Sequence, residues 1–188
     1  QTQDSLSYDD NHPSEESISP DRIKETALSM IPYLLENNMH QQADTAFWLA
    51  LFADPSDSTL LYAYAEFLSG QNEYHRALDL FDHYLQRLPE NELHIRSELQ
   101  HRIGIILWEV KEWRLAKQYL EDALTIRKKL AQRDPERYTG AVASTLNGLG
   151  LVASETDGFW TSKQYYQESL KLYQRVAQKD PDRYMLSV

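Results

Sequence analysis

Cysteine is absent from all 188 residues, which removes disulfides, thiolate metal ligands and cysteine nucleophiles together. A cysteine-free chain suits a reducing or an oxidising compartment equally. No apolar run approaches the roughly 20 residues needed to cross a bilayer as a helix, so membrane insertion is not expected. Asn-x-Ser/Thr acceptor sites are missing, as is any basic-then-apolar leader, although Gln1 stands where a starting Met would and leaves room for a segment removed upstream. Strand-like alternation appears nowhere. What remains is a polar, acidic chain with apolar residues recurring at three- and four-residue spacing, the signature of amphipathic helices.

The net charge of −10 is unevenly spread. Residues 1–95 carry 4 Lys and Arg against 17 Asp and Glu, whereas residues 96–188 carry 15 against 12. Such polarity points to an oriented partner or to solvated helix faces. A pI near 5.0 argues against nucleic acid as the main ligand. Residues 1–19 hold five carboxylates and no Lys or Arg, with few large apolar side chains. Such a segment cannot bury enough to offset its ordering entropy, so it is expected to be a disordered acidic leader. Structure is expected to begin at Ser19-Pro20-Asp21, where a serine cap, a proline in the first turn and an acid favour helix initiation.

Beyond that point, short apolar-periodic blocks are separated by turn signals such as ENNMH (36–40), SGQNE (69–73) and TDG (156–158). Brief turns between helices imply antiparallel hairpins. Ala-x3-Phe occurs at Ala43/Phe47 and, 34 positions later, at Ala77/Phe81; it softens to Ala116/Leu120 and Ser162/Tyr166. The first helix of each pair offers its own packed set: Ala27, Met30, Ile31 and Leu34, then Leu61, Tyr64, Ala65 and Leu68. Later units supply Gln100, Ile103, Gly104 and Leu107, then Leu146, Leu149, Gly150 and Ala153. Small residues at Ala65, Gly104 and Gly150 let two backbones approach, and the large ones fill the groove beside them.

These residues make the chain resemble the tetratricopeptide-repeat family, whose units place small side chains where two helices cross and a proline at the exit. Pro55 and Pro89 match that proline, each 12 positions after the anchor alanine. The resemblance implies an all-α, right-handed superhelical solenoid of about four hairpins, with units near 24–57, 58–91, 97–134 and 143–180. Unit spacing grows from 34 to 39 and then 46, and the phrase LAQRDPERY (130–138) returns as VAQKDPDRY (176–184) at that last distance. The second helices of the last two units are therefore expected to run about two turns longer and to end at Asp-Pro, as in kinesin-light-chain-like and many bacterial arrays. Residues 182–188 read as the start of a further helix, which suggests a longer array or self-association through an uncapped end.

Chemistry-bearing patterns are sparse. His75, Asp79 and His83 share a helix face at metal-ligand spacing but lie on the outside of a second helix, where nothing would complete a coordination shell. Gly148-Leu149-Gly150 is too short for a phosphate loop and falls within a helix. No nucleophile elbow, zinc-protease motif or apolar carboxylate pair occurs, so neither enzyme activity, metal nor cofactor is expected. Arg127, Lys128, Lys129, Arg133 and Arg137 form a basic cluster, read as a ladder exposed near helix C-termini.

The resemblance also implies a concave groove lined by first helices, taking a protein or peptide partner. Tyr62, Glu66, His101, Arg102, Ile105, Trp108, Asn147 and Leu151 occupy the corresponding positions. Where some family members clamp a terminal carboxylate with Lys and Asn, only Arg102 and Asn147 have suitable donors here. Trp108 is either an aromatic anchor of that groove or a core residue packed near Trp113.

Overall fold

A helix begins where its first unpaired N–H groups find an acceptor. The Ser19 hydroxyl accepts from the Arg22 N–H at 3.4 Å, with Pro20 at the first helical position. The Asp57 carboxylate accepts from Leu60 N–H at 3.0 Å, and Asp134 accepts from Arg137 N–H at 3.1 Å ahead of Pro135. The computed structural model describes residues 18–179. Among them are eight helices and no strand: α1 Pro20–Glu36, α2 His40–Ala53, α3 Ser58–Gly70, α4 Tyr74–Arg87, α5 Leu93–Glu109, α6 Trp113–Arg133, α7 Pro135–Thr156 and α8 Phe159–Lys179. Residues 1–17 of the expected 1–19 leader, and the expected helix at 182–188, lie outside the described residues.

Consecutive helices pair as hairpins, and the fold class is the expected all-α solenoid of such pairs. Three of the four hairpin turns use one device. Asn38, Asn72 and Lys111 adopt φ of 55°, 63° and 65°. The following residue donates back five positions: Met39 N–H to Leu34 O at 2.8 Å, Glu73 to Leu68 at 2.9 Å, Glu112 to Leu107 at 2.8 Å. This is the Schellman closure, which satisfies carbonyls left over at the helix end. In the fourth turn Gly158, at φ 82°, sits directly before α8, one residue closer to its anchor than its counterparts.

The anchors behave as their size requires. Ala43, Ala77 and Ala116 are fully buried, as are Phe81 and Leu120 four positions on. A Cβ added to Gly104 would fall 2.7 Å from Leu120 Cγ, and one on Gly150 would fall 2.6 Å from the Tyr166 ring. Ser162 replaces alanine and donates its hydroxyl to Gly150 O at 2.9 Å, so even the polar anchor is satisfied across the crossing. α6 and α8 run 21 residues against 14 for α2 and α4, and seven residues is about two turns, or ~10 Å. Met30 departs from the expected packed set: it is 49% exposed, because Ala27, Ile31 and Leu34 already fill the buried stripe of α1. Gln100 is half-buried rather than packed away.

The chain divides into two compact units, one ending at Ser56 and the other starting at Asp57. The first holds α1 and α2 around Ile31, Leu34, Ala43 and Phe47, and Lys24 pairs with Asp54 at 2.8 Å. The second holds α3–α8, and its long-range ion pairs include Lys117–Asp157 at 2.6 Å and Lys128–Glu168 at 3.6 Å.

Candidate functional site

Within the second unit, α3, α5 and α7 carry the eight residues that the sequence nominates. On α3, Tyr62 is half-buried and meets the Phe81 ring edge-on, with centroids 5.6 Å apart. Glu66, one turn further, forms an ion pair with Arg102 of α5 at 3.4 Å. Arg102 also pairs with Glu98 of its own helix at 3.2 Å. The guanidinium is thus held between two carboxylates and stays partly exposed. Burial opposes its charge, yet Tyr62, Glu66 and Glu98 around it raise its pKa. Burial raises the Glu66 carboxyl, with Arg102 pulling the other way. The Tyr62 hydroxyl is raised by burial too.

His101 departs from a groove residue in solvent. Only 9% of it is exposed, and its Nε2 lies 3.4 Å from the Ser144 hydroxyl on α7. Burial first, then the charges of Arg127 and Arg102, push its pKa down to about 3, so the imidazole is neutral near pH 7. Ile105 is half-buried against α7: a Cβ on Gly148 would lie 3.0 Å from its Cδ1. Trp108 is half-buried, with its indole nitrogen inside and without a hydrogen-bond partner. Leu151 is half-buried, whereas Asn147 is exposed. Structure therefore links Tyr62, Glu66 and Arg102 directly, and joins His101 to α7 through Ser144.

The residue that organises this region is one that sequence context places on an exposed ladder, and the structure buries it. Arg127, midway along α6, is 2% exposed. Its Nη1 donates to Ala141 O at 3.1 Å and to the Thr145 hydroxyl at 2.8 Å, while Nη2 donates to the Glu98 carboxylate. Burial lowers its pKa, opposed by Glu98. One guanidinium thereby ties α5, α6 and α7 together. The signal was in the spacing: Ala116, Leu120, Ala123 and Arg127 follow one another at four, three and four residues, so Arg127 stands in the buried stripe. Lys128, by contrast, is exposed as expected. Beside Arg127 opens a polar cavity of about 380 Å³ bounded by residues of α5, α6, α7 and α8. No group of His, Asp and Glu among the described residues is arranged to hold a metal ion.

Residues 98–136 match the family model for the tetratricopeptide repeat. No curated protein matches the chain by sequence. Solved structures share its fold. BtubC (BKLC) from P. vanneervenii aligns over 89% of this chain and 68% of its own, with TM-score 0.71 and 16% identity. MamA aligns over 82% and 81%, with TM-score 0.63 and 13% identity. PilF of Pseudomonas aeruginosa aligns over 88% and 71%, with TM-score 0.55 and 20% identity. One stretch of the chain thus matches a tetratricopeptide repeat, and its fold is one that these solved structures share.

Proposed function

We propose that this chain is a protein-interaction module whose first helices α3, α5 and α7 receive a peptide segment of a partner protein. The observation that carries the reading is the half-exposed row running from Tyr62 and Glu66 to Arg102, with Asn147 open to solvent on α7. Tyr62 offers an aromatic face, Arg102 a charged donor and Asn147 an amide that can pair with a backbone, a combination suited to an extended chain. Its work is binding rather than catalysis, and it requires no cofactor. Tyr62→Ala and Asn147→Ala, each compared with the parent chain in a pull-down from native lysate, should lose a captured protein while helical circular dichroism holds. Capture that survives both substitutions would overturn the reading.

Self-association is a second reading with an observation of its own. Phe159, Trp160 and Leu170 of α8 are 69%, 72% and 56% exposed, a large apolar area for a solvated helix. Light scattering over a concentration series should then report a rising mass that Trp160→Asp abolishes. A constant monomer mass would remove this alternative.

A further inference from the structure

The cavity beside Arg127 has features of a binding site that helix packing does not explain. It gathers three guanidinium groups, from Arg102 on α5, Arg127 on α6 and Arg137 on α7, with the hydroxyl-bearing Ser144 and Tyr173 on its wall. Two buried polar atoms of lining residues have no hydrogen-bond partner: Nε of Arg127 and Nδ1 of His101. A buried N–H without an acceptor costs stability, so an unsatisfied arginine against an open polar cavity marks a place for an acceptor from outside. Charge selects which acceptor. Glu98 pairs with both Arg102 and Arg127, and Glu66 with Arg102, so together with Arg137 three guanidinium charges stand against two carboxylates, an excess of one while His101 is neutral. A single excess charge suits a monoanion better than a dianionic phosphate. Guanidinium forks fit a carboxylate's two oxygens, and the cavity of about 380 Å³ has room for an acidic side chain.

We propose that this cavity takes the side-chain carboxylate of an aspartate or glutamate in an acidic peptide, with Arg137 as its accessible donor and Arg127 as its buried floor. The inference rests on the interaction reading only in taking a peptide as the bearer of the charge. Fluorescein-labelled decaglutamate is the probe, titrated into the full chain and followed by anisotropy, with decaglutamine as the neutral control. Decaglutamate should bind, decaglutamine should not, and affinity should fall at least tenfold in Arg137→Gln and severalfold in Tyr173→Phe. Lys111→Asn, which removes a charge outside the cavity, should change it by less than twofold. Arg127→Met can unfold the unit, so it is informative only alongside intact circular dichroism; the exposed Arg137 keeps the test decisive. Equal affinity for parent and Arg137→Gln would overturn the proposal, as would inorganic phosphate binding that decaglutamate fails to displace. Tyr62→Ala separates the two claims: lost lysate capture with undiminished decaglutamate binding leaves the cavity standing, whereas lost cavity binding with intact capture refutes it alone.

Discussion

His101 is buried among arginines, and that placement makes stability depend on pH in a direction that can be worked out. Unfolded, its imidazole takes a proton near 6.5; folded, it does so only near 3. Above 6.5 both states are neutral and the residue contributes no slope. As pH falls below that value only the unfolded chain gains the proton, so stability drops by at most about 1.4 kcal/mol per pH unit. His101→Gln should therefore flatten the urea-midpoint profile between about pH 6.5 and pH 4 relative to the parent chain. Parallel profiles would mean that the imidazole is hydrated in solution. The glycines of α7 make a second contrast. Alanine in a helix interior gains about 1 kcal/mol over glycine. At Gly150 that gain meets three atoms of a rigid Tyr166 ring within 2.9 Å of the new methyl. At Gly148 it meets mainly the flexible tip of Ile105 at 3.0 Å. Gly150→Ala should destabilise by ~1–3 kcal/mol, and Gly148→Ala should stay within about 1 kcal/mol of the parent, both by urea titration.

Among elements, the hairpin turns show how one local conformation is reused with different residues. Asn38 and Asn72 suit the left-handed region, since a short amide side chain tolerates it, but Lys111 does not. Lys111→Gly relieves a cost of about 1 kcal/mol without touching a packed contact, and should raise the thermal midpoint by roughly 2–4 °C. A lowered midpoint would show that the lysine side chain holds the turn in some other way. The turns at Asn38, Asn72 and Gly158, the helix starts at Pro20 and Pro135 and the two-turn extension of α6 and α8 are legible in the sequence, because each depends on neighbours within one or two helical turns; the turn at Lys111 carries no such signal. Residue type misleads where register decides burial. Met30 is apolar but flanks a stripe that Ala27, Ile31 and Leu34 complete. Arg127 is charged and sits among lysines, yet it continues the stripe of Ala116, Leu120 and Ala123. Its acceptors on Glu98, Ala141 and Thr145 come from other helices, and no local pattern announces them.

At the scale of the whole molecule, repeat packing makes stability a sum over neighbouring helices rather than the property of one central core. The two units differ sharply in what they can sustain alone. The first offers a single hairpin, α1 with α2, and seven buried side chains along it. It lies near the ~40-residue size below which a chain buries too little to fold without a staple, and this chain has no cysteine to supply one. The second has six helices in unbroken succession, each packed on the next, with Arg127 adding bonds across three of them. A chain of residues 57–188 should therefore unfold in one cooperative transition at a midpoint close to the parent's, while residues 18–56 alone should show little helical circular dichroism. Arg127→Ala in that shorter chain strips Ala141 O and Thr145 of their donor, while Glu98, a third exposed, keeps Arg102 at 3.2 Å, so the loss should be about 1–3 kcal/mol. If the midpoint of 57–188 instead hardly moves with Arg127→Ala, the three-helix tie is decorative. The small anchors at Ala77, Gly104, Ala116 and Gly150 would then carry the unit's stability by close approach alone.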